Sequence, residues 1–456
     1  MPDTKKCIAE LKERFKDRVS TSSSVLDQHG HDESWHESAP PDAVLFSATT
    51  DDVVHCAKIC SRYMVPIIPF GTGSSMEGNV NALYGGISID TSRMNTILAI
   101  NAADMDCEVE AGVTREQLNQ YLRDQGLFFP VDPGANASLG GMAATRASGT
   151  TTVKYGSMRE NVIGLEVVLA DGTLLNTGGR ARKSSSGYDL PRLFVGSEGT
   201  LGIITKLFLR LHPVPETILA MSAHFPTIEA AVELTCEVMQ AGLPVARVEL
   251  LDELSVEAIN NYSKTEFPIS PTLFFEFHGS SPTVSEAADM VQELCDEHDA
   301  YRVSRATTQE DRNRIWNARH NLAFAERTLR PGAQTFVTDV AVPVSCLPAA
   351  ISAAKADLKN INLMAPLSGH VGDGNFHFAL LINREDPHEI ELAEKFHQRL
   401  IDNALSLGGT VSGEHGIGMG KIRHFNIEHG NAISVMRGIK LSMDPNGLLN
   451  PGKLFT

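Results

Sequence analysis

Two histidines, His370 and His377, flank a Gly-Asp-Gly turn within Leu367-Ser-Gly-His-Val-Gly-Asp-Gly-Asn-Phe-His-Phe378. Farther along, Glu414-His415 sits in a second glycine-rich stretch, Val411-Ser-Gly-Glu-His-Gly-Ile-Gly-Met-Gly-Lys421. Imidazole and carboxylate ligands of this kind suit a divalent cation that keeps an open coordination position. Residues seven apart on an extended strand point to opposite faces, so the two histidines converge only if the chain reverses at Gly372-Asp373-Gly374. Residues 376–382 then read as a strand with His377 near its start. Either histidine alone is more often a hydrogen-bonded structural residue than a ligand. The pair about a turn, joined by Glu414-His415, favours a metal site, with zinc first and manganese or iron suited to the same donors. A bare site of this type would also serve a hydrolase that activates water.

Upstream elements must bring a substrate to these residues. Residues 43–47 read as a strand, Asp51 as the cap of a helix running to Tyr63, and 65–69 as a second strand that opens into Phe70-Gly-Thr-Gly-Ser-Ser-Met-Glu-Gly78. Glycines at 71, 73 and 78 allow a close approach to a pyrophosphate. The loop lacks Gly-Lys-Ser/Thr and runs into another strand at 86–90, so it is neither a Walker A loop nor a dinucleotide fingerprint. Alone it serves equally as a phosphate loop or an ordinary turn. The run 130–149, Pro-Val-Asp-Pro-Gly-Ala-Asn-Ala-Ser-Leu-Gly-Gly-Met-Ala-Ala-Thr-Arg-Ala-Ser-Gly, is nearly all small residues and predicts a helix N-terminus near Ser138. A third run, 196–204, again ends a glycine turn on an apolar strand. Three such loops point to a long nucleotide cofactor.

A chain of 456 residues predicts two or three domains. With 39 basic and 56 acidic residues its net charge is −17, which argues against nucleic acid and anionic lipid as partners. Seven scattered cysteines without a CxxC pair suggest reduced thiols and no iron–sulfur cluster, with Cys56 and Cys60 sharing a helix face. No signal peptide and no apolar run of spanning length is visible, so the expected location is cytoplasmic, or peripheral at an inner membrane. Residues 4–18 predict an amphipathic helix, and the polar 27–34 stretch an exposed loop. The prolines after Leu211 mark a boundary. Expected domains are 1–214, a cofactor domain of two subdomains; 215–425, an α+β cap with the metal site; and 426–456, a segment returning to the first. Strands at 218–225, 245–252 and 272–278, with helices at 227–241 and 284–298, build the cap.

Taken in order, Pro69-Phe-Gly-Thr-Gly, Pro133-Gly-Ala, Gly196-Ser-Glu-Gly-Thr-Leu-Gly, Gly369-His-Val-Gly-Asp-Gly-Asn-Phe-His, Gly413-Glu-His-Gly-Ile-Gly and Asn450-Pro-Gly-Lys resemble the FAD-linked D-lactate dehydrogenase and glycolate oxidase flavoprotein subunit family. The likeness runs from about residue 40 to the C-terminus. It implies an α+β chain with a vanillyl-alcohol-oxidase (PCMH)-type FAD-binding domain and a cap. It also implies an FAD site drawn from Phe70, Gly71, Thr72, Gly73, Ser74, Ser75, Gly78, Pro133, Gly134, Ser138, Gly141, Thr145, Ser148, Gly149, Gly199, Ile204 and Asn450. Gly73-Ser-Ser-Met carries no histidine or cysteine, so the FAD is expected to be non-covalent. His370, His377 and Glu414 match the family's metal ligands, and Arg319 matches its substrate-carboxylate arginine; without the likeness Arg319 would read as a solvated helix arginine.

The implied reaction is oxidation of a small D-2-hydroxy acid, D-lactate foremost. A metal lowers the pKa of the substrate hydroxyl, a hydride leaves the α-carbon for flavin N5, and His415 is the expected general base. The strand at 335–341 has no lysine to meet a second carboxylate, which favours a monocarboxylate over 2-hydroxyglutarate; glycolate remains an alternative. Without a nicotinamide fingerprint, electrons leave to an external quinone, cytochrome or electron-transfer flavoprotein, and a homodimer is compatible with the sequence. Rival readings are a non-redox flavin-dependent transferase on the same fold, a flavin-free metal hydrolase and a silent partner subunit.

Overall fold

The computed structural model describes residues 2–455. Its chain divides into two compact units: residues 1–148, 156–214 and 414–456 form the first, and 149–155 with 215–413 the second. The first unit's second segment ends at Val214, and the second unit resumes at Pro215. The return to the first unit comes earlier than expected, at Glu414 instead of residue 426, and the short segment 149–155 belongs to the second unit.

In the first unit a four-stranded sheet runs in the order Val19–Ser20, Ala43–Phe46, Ile87–Asp90, Ile67–Phe70, the last three parallel. Helix Thr50–Tyr63 covers it, burying Val53, Cys56, Ala57, Ile59 and Cys60. Its cap is Thr49, not Asp51. The Thr49 hydroxyl accepts from Asp52 N, and the Asp52 carboxylate accepts from Thr49 N. Asp52 is the partner Thr49 needs because it stands three residues on, and it also takes the Arg18 guanidinium. Helix Thr4–Phe15 buries Cys7, Leu11 and Phe15 against the same core. All seven cysteines are free thiols. A five-stranded antiparallel sheet, Ile97–Asn101, Asp106–Glu110, Ile203–Arg210, Val162–Val168, Leu174–Gly178, builds the second subdomain.

The second unit is one antiparallel sheet in the order Arg302–Ala306, Thr217–His224, Thr272–Gly279, Val245–Leu251, Leu367–Gly369, Asn375–Ile382, Gln334–Val337, with Val340–Ala341 also paired to Asn375–Ile382. Near-continuous apolar strands such as Asn375–Ile382 are buried on both faces. Phe274, Phe275 and Phe277 are fully buried on the central Thr272–Gly279 strand, each contributing roughly 1.5–3 kcal/mol by removal from water. Helices Glu253–Ser263, Gln309–His320 and Leu322–Arg327 close one apolar cluster with Leu251, Phe274 and Trp316.

Candidate functional site

Strand Ile67–Phe70 delivers the chain into the 71–78 loop, and its neighbour is the N-terminus of helix Leu139–Thr145. A Cβ on Gly71 would stand 2.3 Å from Ser138 Oγ and 3.8 Å from Gly141 Cα, so only glycine permits this approach. Ser138 Oγ is buried and makes no hydrogen bond. An orphaned hydroxyl between two glycine backbones is the cradle a pyrophosphate needs, so these residues fit FAD. Gly199 packs its backbone on the Pro69 ring, bringing the third loop to the first, and Ile204 is buried in the strand that follows it.

Several side chains expected to line the cofactor also bond within the protein. Ser75 Oγ donates to Asp32, Thr145 Oγ1 to the Gly141 carbonyl, and Ser148 Oγ to Glu414. Thr72 and Ser74 hydroxyls pair with each other at 3.1 Å. Asn450 Nδ2 donates to the carbonyls of Asn79 and Glu198. Gly73 and Gly78 have positive φ, Gly134 is exposed beside half-buried Pro133, and Gly149 lies in the second unit.

Two groups escaped the sequence reading. Glu198, buried inside Gly196-Ser-Glu-Gly, accepts from Ile417 N, Gly418 N and Asn79 Nδ2. Burial raises its pKa against the pull of those donors and of Lys453. The motif had been quoted for its glycines, and the acid between them was the available signal. The loop it holds is tight: a Cβ on Gly418 would meet the Glu77 carbonyl at 2.1 Å. The 27–34 stretch is not an exposed loop throughout, a correction. His29 is buried, tilted on the Phe70 ring at 4.2 Å and paired through Nε2 with Asp90, and buried Asp32 accepts from Ser75 Oγ and Asn79 N. Polar residues enter a core when each finds a partner, which composition does not reveal.

The second unit holds His370 and His377. Residues 371–373 form a single 3-10 turn between strands Leu367–Gly369 and Asn375–Ile382, and this reversal brings the imidazole centres to 5.9 Å. His370 Nδ1 donates to Glu249 at 2.6 Å, and His377 Nδ1 to the Thr338 carbonyl at 3.1 Å, with Asp339 at 3.6 Å. Each Nδ1 thus faces a protein oxygen, a carboxylate for His370 and a carbonyl for His377. This outer support is the one that metal-binding histidines use, so the pair fits a divalent cation.

Glu249 is fully buried on strand Val245–Leu251 and also accepts from Arg319 Nε at 2.8 Å. Burial alone would raise its pKa, but the His370 and Arg319 charges, with the hydrogen bonds from both, hold it below the ordinary range. Asp339, fully buried, accepts from Asn375 Nδ2 and Ser412 Oγ. Neither acid was singled out from sequence. Arg319 on helix Gln309–His320 is therefore not a solvated residue, and its Nε is committed to Glu249. Glu414 and His415 belong to the first unit, where Glu414 takes the Ser148 hydroxyl and stands 4.0 Å from His415 Nε2. Among the described residues, no helix is long and apolar enough to cross a membrane.

Comparison with known proteins fits this division. The FAD binding domain family matches residues 41–178, and the family FAD linked oxidases, C-terminal domain, matches 214–454. A zebrafish (Danio rerio) protein named probable D-lactate dehydrogenase, mitochondrial, is 49% identical over 96% of this chain and 89% of its own length. An Arabidopsis thaliana protein named D-lactate dehydrogenase [cytochrome], mitochondrial, is 40% identical over 99% of this chain and 80% of its own. The Bacillus subtilis glycolate oxidase subunit GlcD is 34% identical over 91% and 89%. Among solved structures, p-cresol methylhydroxylase superposes with a TM-score of 0.83 at 20% identity, covering 99% of this chain and 96% of that one, a likeness of fold. It is the fold that the family resemblance implies, a PCMH-type FAD-binding domain joined to an α+β cap. Since the matched C-terminal family covers more than half of the chain and the relatives nearly all of it, this protein belongs to the FAD-linked oxidases and is an FAD-dependent oxidoreductase.

Proposed function

We propose that the protein oxidises a small D-2-hydroxy acid, D-lactate to pyruvate in the first place, and passes the electrons to an external acceptor that is not NAD. The observation that carries this reading is the Arg319–Glu249–His370 chain beside His377. It combines a cation able to meet a carboxylate with two imidazoles whose Nδ1 atoms are held by protein oxygens. The relatives named D-lactate dehydrogenase support the substrate, and the one named glycolate oxidase subunit keeps glycolate as the alternative.

Arg319 orients the acid, because Glu249 fixes its Nε edge and directs the remaining guanidinium N–H groups to a carboxylate. His370 and His377 would hold a divalent metal, zinc before manganese or iron, with Glu414 as the third ligand on the motif argument. His415 accepts the hydroxyl proton, an imidazole being matched to near-neutral pH. Bound FAD supplies the hydride acceptor, and the bound cation acidifies the substrate hydroxyl. FAD is held non-covalently, so acid precipitation releases the colour from the protein. The acceptor is a quinone, a cytochrome or an electron-transfer flavoprotein. Where the source cell has mitochondria, the names of the relatives favour that compartment over the open cytoplasm.

Anaerobic mixing with D- and L-lactate, D-2-hydroxybutyrate, glycolate and D-2-hydroxyglutarate tests the reading. D-lactate is expected to bleach the oxidised flavin band quickly. Failure of every acid to reduce the flavin of metal-replete protein overturns the assignment. His377→Ala is expected to lose metal and turnover while retaining FAD; loss of both together would assign His377 to the fold instead.

A further inference from the structure

The second unit contains a second histidine–glutamate–arginine set beside the first. Strand Val245–Leu251 places Arg247 and Glu249 on the same face, since residues two apart share a side. Across the ladder, Arg247 pairs in register with Glu276, and His278 follows two residues later on the Thr272–Gly279 strand. His278 Nε2 lies 2.7 Å from Glu276 Oε1, Arg247 NH1 lies 3.5 Å from the same oxygen, and the Tyr155 hydroxyl meets His278 Nδ1 at 2.8 Å. All of this is largely buried: Glu276 and His278 are each 5% exposed.

The two sets differ in how the imidazole meets the acid. In the Arg319–Glu249–His370 set the imidazole bonds the acid through Nδ1. In the Arg247–Glu276–His278 set both imidazole nitrogens are bonded within the protein. The Arg247 guanidinium lies over the Trp316 ring, 4.4 Å from its centre, and Trp316 stands one helical turn before Arg319. Arg247 is therefore a cation held against Trp316, one helical turn from the carboxylate-binding arginine. An unmasked guanidinium there would attract the distal carboxylate of a short dicarboxylic acid.

We propose that Glu276 masks Arg247 and so determines specificity: the Arg247–Glu276 pair presents a neutral wall that rejects 2-hydroxy dicarboxylates in favour of short monocarboxylates. Selectivity of this kind comes from a charge built against the wrong substrate. His278, held by Tyr155, supports the Glu276 carboxylate in that position. The inference rests on the proposed hydroxy-acid oxidation.

The test compares kcat/KM for D-malate and D-lactate in the flavin- and metal-replete protein. Glu276→Gln, which keeps the shape and removes the charge, is expected to raise the D-malate to D-lactate ratio roughly tenfold or more, chiefly through KM, by unmasking one charged contact. Adding Arg247→Met to Glu276→Gln is expected to return the ratio to the wild-type value. Should Glu276→Gln fail to accumulate as yellow protein, Glu276→Asp, which withdraws the carboxylate by one methylene, is expected to raise the ratio in the same direction by less. A ratio that stays put while both substrates slow together overturns the masking role, as does a gain that survives loss of Arg247. Wild-type flavin that D-lactate does not reduce would instead overturn the reaction itself, so the two failures are distinguishable.

Discussion

In the first unit, contacts that shape the cradle are made by backbone and short side chains. Gly71 lies against Ser138, Gly199 against Pro69, and Glu198 gathers two backbone N–H groups. In the second unit, the polar contacts run between long charged side chains buried on a sheet, as in Arg319–Glu249–His370 and Arg247–Glu276–His278. The difference follows from what each must hold. A long cofactor with a pyrophosphate needs close approach and many N–H donors, which glycine supplies. A small acid has few atoms, so each must meet a full charge in a fixed place.

The sharpest way to break that contrast is Glu249→Ala. It leaves Arg319 and His370 without their shared acid, so turnover is expected to fall roughly 10–100-fold. Stability should drop by about 3–5 kcal/mol while flavin content holds, read from denaturant unfolding and the flavin-to-protein absorbance ratio. Loss of flavin in step with activity would show that the two units do not divide the work in this way.

The converse change, Glu198→Ala, strands Ile417 N, Gly418 N and the Asn79 amide. It is expected to cost about 2–4 kcal/mol and to release FAD on gel filtration. Retention of stoichiometric flavin would remove Glu198 from the cradle's frame.

A pH scan sharpens the second unit's side of the comparison. Burial pushes the Glu326 carboxyl up from 4.5 to about 8, against a hydrogen bond from Ser255. Between those values the native state holds a proton that the unfolded chain has released, so this residue's contribution to stability falls as pH rises and levels off above about 8. Glu326→Gln removes the loss. Its advantage over wild type is expected to be absent below pH 4.5 and to grow to about 4 kcal/mol by pH 8, read as Tm against pH. A constant offset across the scan would contradict it.

Gly71→Ala is expected to have the smallest effect on the fold, about 1–3 kcal/mol, because Ser138 can yield in part. Its signature is weaker FAD binding with the substrate preference of the remaining holoenzyme unchanged. An altered preference would connect the cradle to the acid site more closely than the comparison allows.

The same contrast explains which parts were legible from residues alone. Glycine-rich loops announce themselves because conformational freedom is a property of the residue, so the Gly71, Ser138 and Gly199 loops stand out in the sequence as places of close backbone approach. The His370–His377 turn was legible for a similar reason, since only a reversal at Gly372-Asp373-Gly374 reconciles their spacing. Glu249 and Asp339 were not. Each is a single acid among strand residues, and its meaning depends on partners 121 residues away for Glu249 and 36 for Asp339. His29 and Asp32 misled for the opposite reason: a polar run was taken for solvent-facing chain, whereas Asp90, Ser75 and Asn79 pair with it inside. The placing of 149–155 in the second unit is spatial and leaves no compositional trace.

The bonds from Asn450 to the Asn79 carbonyl and from Lys453 to the Asn81 carbonyl span 371 and 372 residues of chain. Both tie down the segment that immediately follows the 71–78 loop. A ribosome therefore has to deliver everything between before that segment can be pinned, and such distant pairing forms late. The frame of the first loop is therefore complete only once the segment around Asn450 and Lys453 has been made, so a chain interrupted before it is expected to hold FAD weakly.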